Sequence, residues 1–394
     1  MRGVVGWILA LWGGGLLLMS FALSLGRLDQ PTSPWLAYLA DENHDQRYRL
    51  MLVSSEGGVG RLLLRQEVGD LPFAWSPNGR WLVFSQVVSR GQSDLYLLNP
   101  LTRQTRRLTN AKAHHVHPTW SDDSASMFYQ KQVGIQSTHI ERLDLVTGHR
   151  TVLTPTDQRA FLPFWLAKSG WLIFARHVSG ESFQLYRMRP DGSERESLSF
   201  GYHSGLTWSP AEDWLAFTVR VNYSGDYELY RLRLADKQAF RLTEGDGVNI
   251  APTWSPDGRW LAFESSRDGH SEIYRSAPDG SDLRRLTDSA AGNYSPQWSP
   301  DGRWLAFISA RDGHPELYRL RPDGSELQRL TYQSGLKSHL AWSPPVSLSW
   351  SALPLAILGG LWCVCAFFIS RRKRTSTHVK TAPVRHFAHR LPRP

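Results

Sequence analysis

The sequence predicts an all-β protein. The expected form is a seven-bladed β-propeller of four-stranded blades with split-blade closure, flanked by N- and C-terminal transmembrane helices. Three observations lead there. A tryptophan recurs at Trp75, Trp120, Trp165, Trp208, Trp254, Trp298 and Trp342, at intervals of 45, 45, 43, 46, 44 and 44 residues. Each interval holds four short apolar runs separated by Gly, Pro and Asp. Glycine supplies backbone angles that other residues avoid, and Pro and Asp pre-set the turn. Four strands per repeat at this period read as one propeller blade. Finally, both ends of the repeat array are incomplete in a complementary way.

The clearest repeat is Ala251 to Thr287. Its second run, Trp260-Leu261-Ala262-Phe263, is apolar at every position and should be buried on both faces, since a half-wet strand would alternate. The repeat therefore stacks on its own copies. The last copy stops after Leu340-Ala341-Trp342-Ser343-Pro344, a first strand alone. The first copy opens at Trp35-Leu36-Ala37-Tyr38, a second strand without a first. Residues 34–66 and 338–345 together make one blade, and six continuous blades fill the rest. A six-blade ring with a loose N-terminal segment explains the array less well, because the two fragments match strand for strand. The 17 tryptophans divide into seven in first strands, six in second strands and four in the terminal apolar segments.

The flanks read as membrane segments. Gly3 to Leu25 carries no charge between Arg2 and Arg27, long enough to cross a bilayer. Residues 1–27 are thus an N-terminal transmembrane anchor or a signal segment, with Ala22-x-Ser24 or Ser24-x-Gly26 as a cleavage site in the second case. Ser347 to Ser370 is a second uncharged span, and Arg371-Arg372-Lys373-Arg374 follows at once. Basic flanks stay in the cytoplasm. The propeller, residues 34–345, is expected on the extracytoplasmic or periplasmic side of a bacterial cytoplasmic membrane, and 371–394 form a basic cytoplasmic tail. Of the formal net charge of +9, the tail carries +8, so the rest sums to +1. Aromatic residues and positive charge therefore lie in different compartments, which excludes a nucleic-acid reading. The basic run offers contacts to anionic lipid. Both cysteines, Cys363 and Cys365, fall in the second span, so no disulfide holds the propeller.

The repeat W-S-P-D-G-R-W-L-A-F…R-D-G-x-x-E-[IL]-Y-R…P-D-G-S…R-L-T resembles the WD-like repeat of TolB-type β-propellers. It covers about residues 34–345, matching best at Trp254–Thr287 and Trp298–Thr331 and least at Trp120–Thr154. The resemblance implies a propeller and a binding role in the bacterial envelope. The N-terminal α/β domain of TolB has no room before residue 34, so its role is not implied.

The search for chemistry gives little. No G-x-S-x-G elbow is present; Gly201-Tyr202-His203-Ser204-Gly205 has the wrong spacing. The repeated Asp257, Asp301, Asp268, Asp312, Asp191, Asp279 and Asp323 occupy turn positions. His115 and His117 would share a strand face and could begin a metal site if a third ligand joined them; oligogalacturonate lyases give precedent for a metal enzyme on such a ring. The position five residues before each first-strand Trp reads Asp70, His115, Ala160, His203, Asn249, Asn293 and Lys337. First strands line the channel, so these residues should ring one mouth. The expected ligand-binding set is Asp70, His115, His203, Asn249, Asn293 and Lys337, with no cofactor and no catalytic residues. The expected function is a non-enzymatic module recognising a protein or peptide; the alternative is a metal-dependent enzyme or glycan-binding protein using the His115/His117 loop.

Overall fold

The computed structural model describes residues 34–345, apart from 44, 46, 65–67, 69–71, 90, 135–136, 180–181, 203, 222–225, 246 and 334. The expected membrane spans and basic tail, together with Asp70 and His203, lie outside the described residues. Among the described residues no helix is long and apolar enough to cross a membrane.

The described residues form seven groups of four antiparallel strands. Sheets 2 to 7 are continuous in sequence. They run from Phe73 to Arg107, His114 to Val152, Ala160 to Tyr202, Ser204 to Arg241, Asn249 to Arg285 and Asn293 to Arg329. A single parallel bridge, Ser93 to His114, links sheets 2 and 3. Sheet 1 is composite: Leu336–Trp342 pairs with Trp35–Asp41, which pairs with Arg49–Ser54 and then Arg61–Leu62. Its register sets Leu36 opposite Trp342 and Ala37 opposite Ala341. The complementary end fragments therefore meet in one sheet.

Packing follows from strands that are apolar on both faces. Leu261–Ser265 and Leu305–Ser309 are buried at every residue. Alternate residues point to opposite faces, so one strand feeds two cores. Leu36 and Tyr38 pack against Ala306 and Leu317 of sheet 7, whereas Ala37 and Leu39 pack with Leu82 and Phe84 of sheet 2. Further clusters join sheets 2 and 3, 3 and 4, 4 and 5, 5 and 6, and 6 and 7. The succession of cores is cyclic.

The repeat tryptophans differ in burial. First-strand Trp120, Trp254, Trp298 and Trp342 are buried, whereas first-strand Trp75, Trp165 and Trp208 are half-buried. Second-strand Trp171, Trp214, Trp260 and Trp304 are half-buried rather than enclosed. Third-strand arginines cover them: Arg275 and Arg319 each stack 3.7 Å from the ring centroid of Trp260 and Trp304. A guanidinium is weakly hydrated and lies well on an aromatic face.

Candidate functional site

The turn aspartates do what their positions require. Asp257 Oδ1 accepts from the Ser255 hydroxyl at 2.6 Å and the Arg259 amide at 3.1 Å, and Asp301 repeats this with Ser299 and Arg303. Asp191, Asp279 and Asp323 each accept from the amide two residues on. Asp268 and Asp312 accept from the Tyr274 and Tyr318 hydroxyls.

The polar ring has a geometry that the sequence reading did not anticipate. His115, Asn249, Asn293 and Lys337 are all buried. Each reaches a carboxylate on the third strand of the preceding sheet. Asn293 Nδ2 donates to Glu272 Oε2 at 2.7 Å, and Asn249 Nδ2 to Glu228 Oε2 at 3.3 Å. Lys337 Nζ lies 3.4 Å from Glu316 Oε2, and His115 Nδ1 lies 3.2 Å from Asp94 Oδ1. Two more partners come from the carboxylate's own sheet, an arginine at the end of the fourth strand and a threonine two residues beyond it. Arg285 Nη2 donates to Glu272 Oε1 at 3.0 Å, and the Thr287 hydroxyl donates to Oε2. Arg241 and Thr243 serve Glu228, Arg329 and Thr331 serve Glu316, and Arg107 and Thr109 serve Asp94. A buried carboxylate is tolerated only when paired and hydrogen-bonded. The ring residues are the closing members of these latches, and their polar atoms are held inside the wall between sheets rather than offered at a channel mouth. Ala160 fits the same rule: the preceding sheet carries His139 at the carboxylate position, and the nearby Glu141 is satisfied by Lys131 at 2.8 Å and by Tyr129.

Two residues beyond the ring position, the first strands of sheets 1 and 3 to 7 turn out of the sheet. His117, Leu162, Ala251, Ser295 and His339 have φ between 49° and 53°, and Gly205 has φ 63°. Register shifts bracket all six, between Val116 and Thr119, Phe161 and Phe164, Ser204 and Thr207, Ile250 and Thr253, Tyr294 and Gln297, and Ser338 and Ala341. These are β-bulges, and a positive φ on a non-glycine residue is costly, most of all for Leu162. All six are half-buried. Side chains of the preceding sheet hold the bulged backbone. Leu162 N donates to Gln130 Oε1 and Ser295 N to Glu264 Oε2, both at 3.3 Å. Burial pushes the Glu264 carboxyl above its usual range despite donors from Ser271 and Ser295. Gly205 is needed where it stands. A Cβ there would lie 3.0 Å from Pro252 Cδ and 3.1 Å from Thr218 Oγ1.

The bulge also changes the metal reading. Extended alternation would put His115 and His117 on one face, but the left-handed turn at His117 breaks that alternation. His115 Nδ1 is occupied by the Ser93 carbonyl at 3.0 Å and by Asp94. Among the described residues no three His, Cys, Asp or Glu side chains are grouped to hold a metal.

His117 carries a pH dependence. Burial first, and the nearby His339 second, push its imidazole down to about 4. The unfolded chain binds a proton near pH 6.5, so between 6.5 and 4 the unfolded state holds more protons than the folded one. This contribution to stability is present above pH 6.5 and is lost as pH falls to about 4. Urea unfolding of the wild type and of His117→Gln at pH 7 and pH 5 checks it. The variant should lose less stability on acidification, and equal losses would exclude His117 as the titrating group.

Four-stranded antiparallel sheets whose cores follow one another in a cycle define a β-propeller. Comparison with known proteins agrees. The family model for the TolB β-propeller domain matches residues 199–287. The uncharacterized protein Atu1656 of Agrobacterium fabrum is 41% identical over 245 residues, covering 55% of this chain and 80% of that protein. A TolB homolog of Chlorobium chlorochromatii is 40% identical over 115 residues, 29% of this chain and 26% of its own. The crystal structure of TolB from Acinetobacter baumannii superposes with a TM-score of 0.53 at 18% identity, covering 83% of this chain and 71% of that one. The chain belongs to the TolB-type β-propeller family.

Proposed function

We propose that this chain is a seven-bladed, membrane-anchored propeller on the extracytoplasmic face of the bacterial cytoplasmic membrane. It acts there as a non-enzymatic recognition or scaffold module for a protein or peptide. The observation that carries the binding reading is the repeated bulge. Strained backbone persists only where the surrounding structure enforces it, and such strain gathers at functional sites. Here it recurs at one level of six first strands, on half-buried residues of varied chemistry. Strand cores are uniform across repeats, whereas His117, Leu162, Gly205, Ala251, Ser295 and His339 differ. Variation on a rigid, repeated frame is how a binding surface is built. In this reading the ring residues His115, Asn249, Asn293 and Lys337 act indirectly, by locking the seams two residues ahead of the bulges. The envelope placement rests on the two apolar segments and on the basic run Arg371-Arg372-Lys373-Arg374, which fixes orientation and offers contacts to anionic lipid. Membership of the TolB-type family supports a binding role over an enzymatic one.

The test is crosslinking capture from intact cells with the wild type and with a variant carrying Ala at His117, Ser295 and His339. The expected result is a partner enriched with the wild type and depleted about tenfold or more with a variant of unchanged circular dichroism; a tenfold loss corresponds to ~1.4 kcal/mol. Identical capture by both proteins would remove the bulge ring from the binding surface.

A further inference from the structure

At four seams between sheets, the first-strand indole donates to the peptide carbonyl just before the tryptophan of the preceding sheet's first strand. Trp75 donates to Ala341 and Trp120 to Ala74, both at 3.2 Å; Trp298 donates to Thr253 and Trp342 to Gln297, both at 3.1 Å. Trp165 and Trp254 depart from this pattern, each with an Nε1 enclosed without an acceptor. Trp254 is 7% exposed. A cavity of about 620 Å³ opens along the same stretch, at the Trp-Ser-Pro ends of the first strands and away from the ring residues. Phe164, Trp208 and Trp254 supply aromatic wall, Pro210 and Pro252 supply aliphatic wall, and Lys168 is the one charged lining residue. The described residues pair Lys168 Nζ with the Pro210 carbonyl and with no carboxylate.

We propose that this cavity is a second binding site, on the tryptophan side of the bulges at Gly205 and Ala251, for an apolar body that ends in a carboxylate, the chemistry of a peptide C terminus. The walls select the body, since cavities of this size lined by rings and prolines bind apolar groups and orient them with a few polar ones. The charge selects the end: the lining carries one cation and no acid. The indole selects an oxygen acceptor, because a peptide carbonyl is what its counterparts hold at four other seams. An occupant reaches the enclosed Trp254 N–H by pressing between sheets 5 and 6, so occupancy stiffens that seam.

The test uses the full chain in lipid nanodiscs, titrated calorimetrically with a hexapeptide ending in phenylalanine, with its C-terminal amide, and with dodecanoate. The free acid should bind about tenfold more tightly than the amide, as expected for a hydrogen bond between charged groups. Lys168→Gln should abolish that preference, and Trp254→Phe, which keeps the ring and removes the N–H, should weaken the acid about fivefold. The acid should also raise the melting temperature of the wild type. Binding of dodecanoate alone would keep the site and assign its ligand to lipid. A benzophenone on the peptide should label residues 206–210 or 252–256. Equal binding of acid and amide, no binding of either acid, or labelling at 115–117 or 337–339 would overturn the proposal.

Discussion

Glu272→Ala should lower the stability of the folded chain by about 3 kcal/mol, the lower end of the range for removing one partner of a buried ion pair. The loss has identifiable parts. Thr287 and Asn293 are buried and would keep donors with no acceptor. The Ser289 amide, 2.6 Å from Glu272 Oε1, would lose its partner as well. Arg285 is a third exposed and can turn to water, which is why the upper end of the range is not expected. Glu272→Gln should cost less, because the amide oxygen still accepts. Asn293→Ala on the Glu272→Ala background should cost less than on the wild type, since neighbours in one network are not additive. Urea unfolding of the four proteins gives these values. A cost below about 1 kcal/mol for Glu272→Ala would mean that the latch is no more than an exposed surface pair.

Trp342→Ala should cost about 3–5 kcal/mol, the range for truncating a buried tryptophan. The indole is 8% exposed, packs with Leu36, Tyr38, Ala306 and Leu317, and donates to the Gln297 carbonyl. It sits where sheet 7 meets the composite sheet 1, so its loss opens the one seam made from both ends of the array. Trp304→Ala removes as large a side chain from a half-exposed site under Arg319 and should cost about half as much, because less area leaves water. Denaturant midpoints, with limited proteolysis between sheets 7 and 1, measure both. Equal costs would mean that burial does not separate Trp342 from Trp304.

The sheet architecture was legible because it is written in spacing. A period near 44, turn residues between runs and complementary end fragments each constrain backbone, and backbone follows from local chemistry. The ring was legible as a pattern and misread as a surface. Polar residues before a strand suggest solvent, and nothing within one repeat shows that they reach into the neighbouring sheet. A signal was present across repeats. Asn249 and Asn293 lie 21 residues after Glu228 and Glu272. The same interval joins Asp94 to His115, Glu316 to Lys337 and, with charges exchanged, Arg49 to Asp70. Paired in this way, the ring becomes a set of partners for third-strand acids, and Ala160 following His139 falls into place. The bulges were not legible, because His117, Leu162, Ala251, Ser295 and His339 share no residue type that favours a left-handed turn. The cavity beside Trp254 was hidden as well, since that repeat carries the same Trp-Ser-Pro-Asp-Gly sequence as the repeat at Trp298.

The composite sheet sets the order in which the molecule can be completed. Ser343 and Trp35, 308 positions apart in sequence, exchange hydrogen bonds, with Ser343 N donating to the Trp35 carbonyl at 2.7 Å and Trp35 N donating to Ser343 Oγ at 3.1 Å. Such a contact forms only after nearly all the intervening chain exists, and distant pairings are slow to close. A ribosome makes the sealing strand last, so the first three strands of sheet 1 wait with an open edge until Leu336–Trp342 arrives. The finished chain enters at Trp35 and leaves at Trp342 from the same end of one antiparallel pair. Tension applied to both ends would part that pair one hydrogen bond at a time, as a zip opens, rather than load all its bonds together.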